Sequence, residues 1–130
     1  MILKNDIRNR EDIILFVNTF YDKVNVNTLL SPIFNDVAKV DWQHHLPNMY
    51  DFWENVIFAT GGYKGNPLLP HLTLNEKTPL EAIHFSHWKQ LFVETIDELF
   101  DGPVAERTKS SAQNIAGVMQ FKTAQMRATF

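Results

Sequence analysis

The 130-residue chain contains no cysteine. That excludes disulfides, cysteine-based zinc sites and thiolate ligation of a haem iron, and it is compatible with a reducing cytosol. Positive charge is not in excess: 12 Lys and Arg stand against 15 Asp and Glu, for a formal net charge of −3. No basic run is long enough to track phosphates, so nucleic acid is not an expected partner. Long apolar runs are missing too. The N-terminus, Met1-Ile2-Leu3-Lys4-Asn5-Asp6, turns polar after three residues without an apolar signal core, and no later stretch is long enough to span a bilayer. A soluble cytoplasmic protein with no membrane partner is the expectation. Internal repeats, low-complexity tracts, glycine-rich phosphate loops, nucleophile elbows and HExxH patterns are all absent, and strand-like alternation is weak.

What the chain has is aromatic bulk: ten Phe, three Trp and three Tyr in a single-domain length. Such side chains suit either an aromatic core or the walls around a large apolar ligand. The apolar spacing is helical almost throughout, which predicts an all-α fold of four substantial helices. Asn9 and Asp12 form an approximate capping box ahead of a stripe at Ile13, Val17, Phe20, Tyr21 and Val24. Asn27 caps a shorter turn through Phe34. Pro47 predicts a second helix from about Leu46 to Thr60, with Met49, Phe52, Trp53 and Val56 along one face and Gly61-Gly62 as its stop. Residues 63–77 read as a loop holding one turn around Pro67, capped by Asn66. Thr78-Pro79-Leu80-Glu81 reads as the start of a third helix with its stripe at Phe85, Trp88, Phe92, Thr95, Ile96 and Leu99. After Asp101-Gly102-Pro103, a last helix from about Val104 to Met126 carries Ala105, Thr108, Ala112, Ile115, Ala116, Met119 and Thr123.

Two histidines draw attention. His71 follows Pro67 and Pro70, which stiffen its mount, and Leu68, Leu69 and Leu72 around it are too apolar for a free loop. His45 stands at the start of the aromatic second helix; the alternative is a capping or surface histidine, a role His44 beside it would serve equally well. Two imidazoles on separate elements, beside a cleft of Phe, Trp and Met, are what a flat iron-bearing ring requires. Tyr21 and Trp88 lie on core stripes, where packing accounts for each residue taken singly. In a pocket they become hydrogen-bond donors. His84 and His87 flank Trp88 at a spacing of three, but no carboxylate completes a metal site and neither is given a role.

Taken in order, Phe20-Tyr21-Asp22-Lys23-Val24, Leu29-Leu30-Ser31-Pro32-Ile33-Phe34, Trp42-Gln43-His44-His45-Leu46-Pro47, Phe52-Trp53-Glu54, Tyr63-Lys64-Gly65-Asn66-Pro67, His71 and Trp88 resemble the group III truncated haemoglobins over residues 13–122. The glycine pairs of the other truncated groups are not evident. Between His71 and Trp88, across the stretch from Leu72 to Thr78, the likeness rests on the two ends. The resemblance implies one truncated globin domain over 1–130, a two-over-two helical sandwich around haem b. It implies His71 as the proximal iron ligand, and Tyr21, His45 and Trp88 as the distal ligand-binding residues, with Phe34, Met49, Phe52 and Trp53 in the haem pocket or the core. It further implies binding of O2, NO or CO in ligand chemistry, detoxification or sensing, ahead of bulk oxygen transport. The alternative on the same scaffold is a NO dioxygenase or peroxidase-like enzyme. No flavin or nicotinamide domain is present, so that enzyme would need a separate reductase. A helical interaction module with incidental histidines is the competing reading from another class.

Overall fold

A computed structural model describes residues 3–128, with side chains through Met126. The described residues form helices and no strand: α1 (Arg10–Val26), a π-helical turn (Ile33–Val37), α2 (Trp42–Phe58), α3 (Leu68–Lys77), α4 (Ala82–Leu99) and α5 (Pro103–Ala128). Helix α1 packs on both α2 and α4, and α4 packs on α5. The α1–α2 pair thus lies over the α4–α5 pair, while α3 packs on α5.

Helix α1 starts where the sequence places it. Asn9 Oδ1 accepts the Asp12 N–H at 3.0 Å, although the Asp12 carboxylate reaches back to the Arg8 N–H rather than to Asn9. The α1 stripe is fully buried, and Phe16 belongs to it. The Phe16 ring meets Trp53, Phe92 and Phe100 edge-on, with centroids 5.8–6.5 Å apart. Such pairs add to the gain from burial alone. Arg10 pins α1 to α2 through Asp51 at 3.0 Å and Glu54 at 2.9 Å.

Four boundaries differ from the sequence reading, each for a local reason. Helix α2 begins at Trp42 and not at Leu46, because Asp41 Oδ1 accepts the Gln43 N–H at 3.2 Å and caps it. Pro47 therefore sits inside the helix, where its missing N–H leaves the carbonyl of exposed Gln43 to solvent. Ala59, in the left-handed region at φ 54°, ends α2 ahead of the glycines. Residues 68–77 are helix, not loop. Pro67 and Pro70 fall at its cap and first turn, where backbone N–H groups have no helical acceptor and their loss costs nothing. Thr78 ends α3 and does not start α4: its N–H reaches the Leu74 carbonyl. Helix α4 begins one turn later, with Glu81 as its cap and His84 Nδ1 accepting the Glu81 N–H at 2.9 Å. The described residues accordingly form five α-helices where four were expected.

The last helix is started from a distance. The Asp6 carboxylate accepts the N–H groups of Val104 and Ala105 at 2.9 and 2.8 Å. Burial would raise the pKa of Asp6, but these donors and the Ile7 N–H outweigh it and hold the group ionised. Gly102 leaves room for this contact at φ +144°, since a Cβ there would lie 2.5 Å from Asp6 Cγ. The small residues on α5, Ala105, Ala112 and Ala116, are buried against their neighbours as expected.

Candidate functional site

The helices line a cleft of about 630 Å³, within the range of small-molecule and cofactor sites. Its walls come from every element: Tyr21 of α1, Phe34 of the π turn, His45, Met49, Phe52 and Trp53 of α2, His71 of α3, Trp88 of α4, and Ile115, Ala116 and Met119 of α5. All eight candidate residues named from the sequence line this one space. His44 does not, and is exposed.

The early start of α2 aims His45. With regular helix from Trp42, the positions of His45, Met49 and Phe52 share one face and reach the cavity together. His45 Nε2 lies 3.2 Å from the Tyr21 hydroxyl. Burial lowers the pKa of His45, and nearby His71 and His44 push it the same way. Burial also drives the Tyr21 phenol above its ordinary range, so the hydroxyl stays protonated at any working pH.

His71 is the fourth residue of α3, and the helix fixes its tautomer. Nδ1 lies 2.6 Å from the Pro67 carbonyl oxygen, which can only accept. Nδ1 therefore carries the proton and Nε2 keeps its lone pair. Burial lowers the His71 pKa, with the Pro67 bond pulling the other way, so the ring is neutral near pH 7. An oriented, neutral imidazole with a free lone pair is a metal ligand. No group of three or more His, Asp or Glu side chains is placed to hold a metal among the described residues. A metal taken by one imidazole must then bring its other ligands with it, as the iron of a tetrapyrrole does. The walls fit such a ring: they carry large apolar side chains and no carboxylate.

Trp88 stacks on Phe92 at 5.5 Å and meets Phe20 edge-on at 5.4 Å. Its indole N–H has no hydrogen-bond partner among the described residues. Trp53 serves two ends, lining the cavity while packing on Phe16, Phe52 and Phe92. The second wall was not read as such from the sequence. Ile33, Leu80, Phe85, Ala116 and Met119 form a separate apolar cluster beside the cavity. Helical spacing marks Phe85, Ala116 and Met119 as inward, but spacing does not tell core from cavity wall. His84 also lines the cavity, and its capping bond to Glu81 was legible as a Glu-x-x-His spacing at a helix start. His87 bonds Asn27 at 3.3 Å and is half-buried.

Helices packed around an apolar cavity, with His45 and His71 facing it from two of them and His84 at its edge on a third, are the frame of a globin. No protein-family model matches the chain. It is similar to the group 3 truncated haemoglobin ctb of Campylobacter jejuni, with 30% identity over 121 residues, 91% of this chain and 93% of that protein. Its structure is similar to the crystal structure of a group III truncated haemoglobin from Campylobacter jejuni, with a TM-score of 0.81 and 29% identity, covering 93% of this chain and 95% of that one. The chain belongs to the group III truncated haemoglobins.

Proposed function

We propose that this protein is a single-domain, cytoplasmic haem protein that captures a diatomic ligand, O2 first and NO or CO besides, for ligand chemistry, detoxification or sensing. The observation that carries the reading is the His71–Pro67 bond, which leaves a bare Nε2 lone pair at an apolar cavity that Tyr21, His45 and Trp88 also line. His71 is the residue to hold the iron of haem b, and Phe34, Met49, Phe52 and Trp53 are walls for the ring. Lys77 lines the same cavity, makes no ion pair among the described residues, and is the cation available to the ring's carboxylate arms. Haem held there would supply an iron able, when ferrous, to take a diatomic ligand.

The chain's own groups then decide what happens to that ligand. Tyr21 O–H and Trp88 N–H donate to a partly negative ligand atom, each bond contributing about 1–3 kcal/mol. The aromatic walls keep water away and strengthen those bonds. Two donors slow ligand escape, which disfavours bulk transport. Three polar groups lining one cavity, Tyr21, His45 and Trp88, also support the second reading, a NO dioxygenase or peroxidase-like enzyme served by a separate reductase. The visible spectrum before and after dithionite and CO tests the first claim. A Soret band that shifts with CO is expected, and His71→Ala is expected to lose normal ligation. A colourless protein that takes up no added haem, or an unchanged spectrum in His71→Ala, refutes it. Turnover of peroxide, or of NO with a reductase, separates the enzyme from the binding protein.

A further inference from the structure

The π-helical turn carries a polar residue that the proposed site does not use. Asn35 Oδ1 accepts the Trp42 indole N–H at 2.9 Å. Its Nδ2 donates to Asn25 Oδ1 at 2.9 Å, the Ser31 carbonyl at 3.1 Å and the Ser31 hydroxyl at 3.2 Å. An indole N–H can only donate, so the amide has one orientation, with its oxygen toward Trp42. Asn35 thereby ties the end of α1, the π turn and the first residue of α2 to one another.

Trp42 does not line the cavity but backs the residues that do. Its ring stacks on Phe34 at 6.0 Å and 19°. It meets Tyr21 edge-on at 5.2 Å and His45 at 5.5 Å, and those two rings meet each other at 5.2 Å. Only one polar bond fixes how the indole lies, the one to Asn35. The π turn also has a reason to be there. Ala38 N–H reaches the Ile33 carbonyl and Val40 N–H the Phe34 carbonyl, a wide turn that presents Phe34 to the cavity and Asn35 to Trp42. Such turns cluster at functional sites.

We propose that Asn35 is a positioning residue that, through Trp42, holds the Tyr21–His45 pair in register. The bonds of Asn35 are exposed and individually weak, and their role is directional. With Trp42 pinned, the indole edge limits where the His45 ring can lie, and the Nε2 to hydroxyl contact follows. Released, the indole rotates on Phe34 and His45 gains room. The placement of the pair by Asn35 is independent of haem; its effect on ligand escape rests on the haem reading above.

The test compares Asn35→Leu, Asn35→Asp and Ser31→Ala with the parent. Nitrogen NMR of the full chain, as its CO form or as purified, reads the His45 ring. Asn35→Leu is expected to displace the His45 resonances. Asn35→Asp, which keeps an acceptor for the indole, is expected to restore them largely, and Ser31→Ala to move them less. Unchanged His45 resonances beside a shifted Trp42 indole signal overturn the proposal. A second arm uses ligand escape rates. If Asn35 acts through the pair, Tyr21→Phe has a several-fold smaller effect in the Asn35→Leu background than alone. Effects that simply multiply mean a structural role only and also overturn it. Loss of any CO-shifted Soret band defeats the haem reading and leaves the His45 resonances to decide the role of Asn35.

Discussion

Replacing Tyr21 with Phe removes one oxygen from a side chain that is 7% exposed and leaves the ring volume unchanged. The core should not notice, so the effect belongs to the hydroxyl. Two bonds are at stake. In the unliganded protein the hydroxyl is 3.2 Å from His45 Nε2, a neutral contact contributing about 0.5–1.5 kcal/mol. In the liganded protein the same hydroxyl donates to a partly negative atom, at about 1.5–3 kcal/mol. A hydroxyl has one proton, and if it serves His45 first, the ligand gains only the difference. That leaves about 1.4 kcal/mol, or roughly a tenfold change in rate. If His45 Nε2 carries the hydrogen and donates to the Tyr21 oxygen, nothing is given up and the change is larger. Stopped-flow displacement of O2 by CO reads this directly. Tyr21→Phe is expected to lose O2 at least tenfold faster, on the order of the difference just worked. A rate within about twofold of the parent refutes the reasoning and removes Tyr21 from the ligand network. Adding a Trp88 substitution should give a combined effect that is not the sum, since both donors serve one ligand.

Acid should weaken the fold through His45. Its folded pKa lies below the ordinary value near 6.5, so the unfolded chain binds the extra proton first. Stability is full above about 6.5 and falls as pH drops through the depressed value. Thermal melts between pH 7.5 and 5 should show this fall, and His45→Gln should make it shallower while buried His71, lowered in the same direction, still contributes; an equal slope in the variant counts against the assignment. Gly102→Ala should destabilise the protein by about 1–3 kcal/mol, because the new Cβ displaces the Asp6 carboxylate from its α5 contacts and strains φ +144°. Denaturant melts check it, and an unchanged midpoint contradicts the capping role. Lys77→Glu should speed haem loss to apomyoglobin several-fold while leaving the Soret position unchanged. A parent-like transfer rate removes Lys77 from the site.

Much of this protein was written locally. The stripe on α1, the stripe on α4 and the small residues of α5 obey helical spacing, and burial follows spacing because a helix face is fixed by its own geometry. The all-α fold and the family followed from ordered motifs along the chain. What the sequence misread were elements whose signals compete. Pro47 suggested a start that the Asp41 cap placed one turn earlier, and two prolines hid α3 because a proline in a first turn looks like a proline in a loop.

The sequence alone supplied the candidate types that line the cavity, His45, His71, Tyr21, Trp88 and the walls Phe34, Met49, Phe52 and Trp53, but not His84, Lys77 or the second apolar wall. It did not supply their relations. The Pro67 carbonyl fixes the His71 tautomer only because residues 68–77 coil. The Tyr21 hydroxyl meets His45 only because α1 packs on α2, and Asn35 reaches Trp42 only through the wide π turn. Spacing along one helix is a property of the chain, whereas a distance between two helices exists only once their faces have packed.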